Sequence, residues 1–356
     1  MHRRRILLWV VILFFAWIVI RHINEIETLV QTVRTGQWSW ILATLLLQLF
    51  VTLGRTFLFY VSMRLFGIHH RFRYLLALIL GVNFINAMAP SGGMSGIALF
   101  MDDAKRNGKS VIKTAVSTLL ATVSDFSAFC LFLLGGLIVL LRQHELKSYE
   151  LATGLVMFLY AGGMVLLLLL GLKAPGWLER QLRRLQQAIN HVGRWFHRPN
   201  LLADNWAHVH AHEVAQSSHL MAAKPRLLLV TISIALVIHL LNLFSLYTIF
   251  RAFHLPTTAS LIIAGYAMTI LFTIISPTPN GMGVVEGLVP LIYGTMGLAP
   301  TDATLVTLVF RGITFWLPLL LGFVLLRRLH LFQQTAVPDP PNNLLPTTPE
   351  PDQTNC

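Results

Sequence analysis

Charge is what this sequence has least of. Asp, Glu, Lys and Arg make up 12% of its 356 residues, while 55% are hydrophobic. A soluble domain carries roughly 25% charged residues, so this chain cannot be mostly water-facing and reads as an integral membrane protein. Cysteine is scarcer still: Cys130 lies inside an apolar run and Cys356 is the last residue. Neither a disulfide framework nor a CxxC metal or redox motif can be built from these two. No ATP-binding phosphate loop occurs either, so any driving force is expected to be a gradient or downhill flow. Acidic residues number 15 against 27 Lys and Arg, giving a formal charge of +12. In a soluble protein that excess would point to nucleic acid; here the Lys and Arg lie between apolar runs, where topology explains them and no nucleic-acid partner is expected.

What is present is a series of apolar runs, at residues 6–20, 39–60, 74–89, 111–141, 151–172, 227–250, 259–276, 284–298 and 303–326. About 20 apolar residues cross a bilayer as a helix. The first run follows Arg3, Arg4 and Arg5 and ends in Arg21-His22-Ile23-Asn24 with no small-residue cleavage site, which describes an uncleaved signal anchor. The run at 74–89 is short and ends in Ala89-Pro90-Ser91-Gly92-Gly93-Met94-Ser95-Gly96; the next five residues give way to Asp102, Asp103, Lys105 and Arg106, so that limb cannot span. If residues 74–104 enter and return to one side, every basic loop falls inside, including the long 173–226 segment, as short cytoplasmic loops require.

A similar element recurs at Ile275-Ser276-Pro277-Thr278-Pro279-Asn280-Gly281-Met282-Gly283-Val284-Val285-Glu286. Pro90 to Asp125 and Pro279 to Arg311 are 35 and 32 positions, each ending on a charge within a long span. The predicted architecture is therefore an all-α polytopic membrane protein with about six full spans and two re-entrant hairpins related as an inverted repeat, both termini cytoplasmic. Broken backbone at membrane depth must be buried in protein or line a wet cavity, so two breaks predict a central cavity. Residues 1–330 then form one transmembrane domain, and 331–356, rich in proline, a disordered tail.

Outside the spans, residues 177–192 place Leu178, Leu182, Leu185, Ile189 and Val192 on one face and Arg180, Arg183 and Arg184 elsewhere, as expected of a helix lying on an anionic membrane surface. His208, His210, His212 and His219 include pairs at i and i+2, which do not share a helical face, and no Cys or Asp joins them; no metal or other cofactor is expected.

Ionisable residues inside the spans are Arg55, Asp125, His239, Glu286 and Arg311. Each costs several kcal/mol unless paired, hydrated or able to snorkel, which makes them the candidate site. Arg55 lies near one end of its span and can also be read as a snorkelling anchor. Asp125 reads as a titrating or headgroup-contacting carboxylate, or as a partner of Arg55 or Arg311. Glu286 falls in the first turn of a short helix, as a cap, a partner of Arg311 or a site residue. Arg311 is too deep to snorkel and is the expected anion ligand. His239, with Asn242 one turn on, is a weaker candidate. Pro279, Asn280, Gly281 and Gly283, and likewise Pro90, Gly92 and Gly93, shape turns whose exposed amides would bind an anion such as phosphate.

The stretch from Pro277 to Glu286, followed by Arg311 and Leu317-Pro318, resembles the lysylphosphatidylglycerol synthase transmembrane-region family. Its pattern is a proline, a Gly-Gly-x-Gly turn, two apolar residues and Glu, then Arg about 25 positions on in a span ending Leu-Pro; here Asn280 stands for the first glycine. Arg55, Pro90, Gly92 and Gly93 fit the amino-terminal half of the pattern, and the resemblance covers residues 5–328. It implies a multi-pass protein of a bacterial inner (plasma) membrane that translocates or otherwise handles lipids, anionic ones on the residues above. The family's aminoacyl transfer needs a large soluble domain for which no length exists here, so no such activity is expected. Alternatives are a non-transporting partner or scaffold of a lipid-modifying enzyme, a membrane enzyme with Glu286 or Asp125 as general base, and a small-solute transporter.

Overall fold

A computed structural model describes residues 36–88, 94–195 and 225–328, with scattered positions between 205 and 219. The expected signal anchor, the turn with Pro90, Gly92 and Gly93, part of the 173–226 segment and the proline-rich tail lie outside the described residues. Regular structure among the described residues is entirely helical: α1 (Trp38–Leu65), α2 (Phe72–Met88), α3 (Met94–Arg106), α4 (Val111–Arg142), α5 (Ser148–Lys173), α6 (Pro175–Trp195), α7 (Pro225–Ala252), α8 (Ala259–Ile275), α9 (Val284–Thr295), α10 (Pro300–Arg311) and α11 (Leu317–Arg328). Five stretches are long and apolar enough to cross a membrane: Trp38–Leu65, Lys113–Arg142, Ser148–Leu166, Arg226–Ala252 and Pro300–Val324. They coincide with five of the expected spans.

Helix starts follow local chemistry. Ser110 and Thr258 accept the backbone N–H of Lys113 and Leu261, each at 3.3 Å, so a hydroxyl satisfies one orphan donor at the head of α4 and of α8. Along α5 the large side chains point outward, with Leu151 56%, Leu155 58% and Leu159 67% exposed, an apolar exterior that only lipid suits. The interior is cross-linked by polar pairs. Thr44 and Thr248 meet at 2.8 Å, and the Gln48 amide donates to Asn242 and Ser245 at 3.1 and 3.0 Å, fastening α1 to α7. Such bonds are worth about 0.6 to 2 kcal/mol each where no water competes.

Two pairs of short helices run antiparallel as hairpins. In the first, the Tyr74 hydroxyl bonds Asp103 at one end, and the Gly96 N–H donates to Asn86 Oδ1 at 2.8 Å near the other. In the second, α8 and α9, Gly265 lies under the ring of Tyr293, where a Cβ would fall 1.9 Å from the hydroxyl, so only glycine admits this packing. With 17, 13, 17 and 12 residues, α2, α3, α8 and α9 are about 18 to 26 Å long, short of a roughly 30 Å hydrocarbon core.

The span expected at 303–326 is present but is not a continuous α-helix. Between α10 and α11, Gly312–Trp316 forms a π turn in which the Leu317 N–H reaches back to the carbonyl of Gly312. Pro318 is the physical reason: it has no N–H to offer, and its ring would strike the carbonyl four residues back, so the wider turn relieves both. The stretch 177–192 is helical, within α6. Its Gln186 is buried and accepts the Ala207 N–H at 3.3 Å, which seats the described part of 205–219 against it.

A charged turn and a shared cavity

The α8–α9 turn contains two prolines, Pro277 and Pro279, which prevent α8 from continuing. Asn280 (φ 48°), Gly281 (φ 73°) and Gly283 (φ 79°) then reverse the chain through left-handed backbone. Gly281 has a second constraint, since a Cβ there would lie 2.9 Å from the Thr273 backbone. Glu286, in the first turn of α9, reaches back so that its Oε2 accepts the Gly283 N–H at 2.8 Å. Its Oε1 accepts from Arg311 Nε at 2.9 Å, and Arg311 Nη2 donates to the Asn280 carbonyl at 2.9 Å. The guanidinium stands 4.3 Å from the Phe315 ring, which the π turn presents. Arg311 and Glu286 are 4% and 13% exposed, a buried ion pair whose donors and acceptors are shared with the turn itself.

This arrangement forms one wall of a cavity of about 480 Å³. Asn83 and Asn86 of α2, close to the end of the first hairpin, line it opposite residues 276–280, so the ends of both hairpins meet at one chamber. Arg55, Asp125 and His239 line it as well. The Arg55 Nε is buried with no hydrogen-bond partner. His239 Nε2 is 3.1 Å from the Asp125 backbone carbonyl and 3.4 Å from Oδ1 of its carboxylate, while Nδ1 is 2.6 Å from the Tyr266 hydroxyl.

Of the sequence-based candidates, Arg55, Asp125, His239, Pro279, Asn280 and Arg311 come together around the cavity. Glu286, Gly281 and Gly283 stand behind this wall and shape it rather than line it. The Gly283 amide, expected to be open to an anion, is satisfied by Glu286. Asp125, read either as a titrating or headgroup-contacting carboxylate or as a partner of Arg55 or Arg311, lines the cavity with His239 beside it. Pro90, Gly92 and Gly93 lie outside the described residues. Sequence reading missed Asn83, Thr273 and Thr314, which also line the chamber, and Tyr266, which bonds His239; none carries charge, so none stood out against the apolar runs.

Long apolar helices around a partly open chamber lined by apolar, polar and charged side chains define a polytopic α-helical membrane protein with a cavity bearing both signs of charge. Within that class the chain belongs to the lysylphosphatidylglycerol synthase TM region family, whose model matches residues 5–322. It is similar to a UPF0104 membrane protein of Methanothermobacter thermautotrophicus, 28% identical over 106 residues, which is 30% of this chain and 31% of that protein. A second UPF0104 membrane protein, of Methanocaldococcus jannaschii, is 25% identical over 95 residues, 27% of this chain and 28% of the relative. The chain thus aligns with less than a third of the length of these two archaeal proteins.

Proposed function

We propose that the protein moves a phospholipid between leaflets, holding the phosphate of its headgroup in the 480 Å³ chamber while the acyl chains stay in the bilayer. In this reading the two hairpins are re-entrant, enter from opposite faces as an inverted repeat, and meet at the midplane, where their ends supply the chamber walls; both termini are cytoplasmic and the membrane is a plasma membrane. The observation that carries it is Arg311: a guanidinium buried midway along the apolar stretch Pro300–Val324, fixed by Glu286 and Asn280, with hydrogen-bond partners on Nε and Nη2 only and therefore donors left for the cavity. Arg55 adds a second cation whose Nε has no partner. Guanidinium groups match phosphate oxygens in geometry and stay charged where an ammonium would lose its proton.

The test is transfer of acyl-chain-labelled phospholipids across vesicles containing the purified protein, with wild type beside Arg311→Ala and Glu286→Gln. Transfer by wild type and its loss in both variants, each inserted and folded, is the expected result. A folded Arg311→Ala protein that moves lipid at the wild-type rate would refute the assignment.

A further inference from the structure

Arg311 is held by Glu286 behind the cavity wall, whereas Arg55 and Asp125 have no such partner fixing them. Glu286 is used up by the Gly283 amide and by Arg311. Arg55 and Asp125 both line the chamber; Arg55 Nε is buried without a hydrogen-bond partner, and Asp125 Oδ1 meets only His239 Nε2, at 3.4 Å. His239 touches only one side of the Asp125 carboxylate: its Nε2 lies 3.1 Å from the Asp125 backbone carbonyl and 3.4 Å from Oδ1, and its Nδ1 meets the Tyr266 hydroxyl at 2.6 Å. Asp125 remains 25% exposed, and what it is exposed to is the chamber.

We infer that the ligand of this chamber is a zwitterionic headgroup, a phosphate joined to a primary ammonium, with the phosphate at Arg311 and Arg55 and the ammonium at Asp125. The inference rests on the lipid-moving reading above and narrows it. A headgroup with only a negative charge would satisfy Arg55 and be repelled by Asp125; one with two ammonium groups would find a single free carboxylate. A quaternary ammonium has no N–H to give Asp125, whereas a primary one has three. Phe126 and Phe129, on the same helix as Asp125, also line the chamber and offer ring surface that favours a nearby cation.

The experiment uses full-length protein in vesicles with trace acyl-chain-labelled phosphatidylethanolamine, phosphatidylglycerol or phosphatidylcholine, for wild type, Asp125→Asn and Asp125→Glu. Ethanolamine lipid is expected to cross at least about tenfold faster than the other two, as the loss of one charge-assisted hydrogen bond implies. Asp125→Asn should reduce that preference about tenfold, and Asp125→Glu should restore part of it. Equal rates for the three lipids in wild type, or an unchanged preference in Asp125→Asn, would overturn the ammonium site while leaving translocation standing. Failure of every lipid to cross would instead overturn the lipid reading itself, as would uptake of soluble phosphoethanolamine by the same vesicles.

Discussion

In the α8–α9 hairpin the polar bonds sit at the turn that faces the cavity, where Arg311, Glu286, Asn280 and Gly283 are joined. In the α2–α3 hairpin they gather at the far end, where buried Asp103 accepts from the Tyr74 hydroxyl and from Asn107 Nδ2 at 2.9 Å, with His70 Nε2 at 4.0 Å. Lys109 closes that cluster through the His69 carbonyl at 2.8 Å and His70 Nδ1 at 3.0 Å. Near its cavity end the first hairpin is tied by the Asn86 to Gly96 bond at 2.8 Å. The difference is one of cost. Separating the second turn from its neighbours means breaking a buried ion pair, whereas shifting the cavity end of the first hairpin strains neutral bonds while its base stays anchored. Among the described residues, then, the charge-bearing bonds lie at the cavity end of one hairpin and at the far end of the other.

The largest expected effect tests that asymmetry directly. Glu286→Ala leaves Arg311 buried without its carboxylate and should destabilise the protein by about 3 to 5 kcal/mol, against about 1 kcal/mol for Asn86→Ala. Unfolding in detergent measures both, and equal losses would break the comparison. Next comes backbone geometry. Gly281→Ala must adopt φ 73° with backbone 2.9 Å from its Cβ, and should cost about 2 kcal/mol or more. Gly96→Ala meets only side chains, Val82 and Asn86, and should cost less by the same measurement.

At the base of the first hairpin, Asp103→Asn should remove about 1 to 3 kcal/mol, because an amide cannot accept as a carboxylate does. Lipid preference in vesicles should not follow, since Asp103 does not line the chamber; a changed preference would show that base and cavity are coupled. The smallest effect is on pH. Burial, and then the Lys109 charge, hold His70 below its ordinary 6.5 against the opposing pull of Asp103. Below that value the unfolded chain takes up a proton that the folded chain refuses, so stability should decline as pH falls from about 6.5, with no contribution above it. His70→Gln should flatten the slope of unfolding midpoint against pH; an equally steep slope would assign it to another group.

Legibility in the sequence tracked charge. Arg55, Asp125, His239 and Arg311 could be picked out because an ionisable group in an apolar run needs a reason, and the cavity supplies it. The breaks at Pro277 to Gly283 were legible for the same kind of cause, since proline and glycine act on the backbone locally. Partner choice was legible only in part. Glu286 could be named as a partner of Arg311, but that Asp125 stands beside His239 depends on how each helix is rotated about its axis, which packing decides. Tyr266 illustrates the limit: an aromatic residue inside an apolar helix reads as core, and only the fold shows that its hydroxyl meets His239 Nδ1 at 2.6 Å. Uncharged lining residues such as Asn83 and Thr314 were hidden similarly.

The π turn between α10 and α11 has a consequence for how this gene segment can vary. A wider turn absorbs one residue more than an α-helix would, and each residue of an α-helix advances about 100° around the axis. The two halves of the span are therefore out of phase: α10 packs on α9 while α11 packs on α2. Loss of a single codon anywhere from Gly312 to Trp316 would bring them back into phase and swing Arg311 about a quarter turn away from Glu286. Length in these five positions is thus under tighter constraint than identity, and replacing Ile313 should be far better tolerated than deleting it.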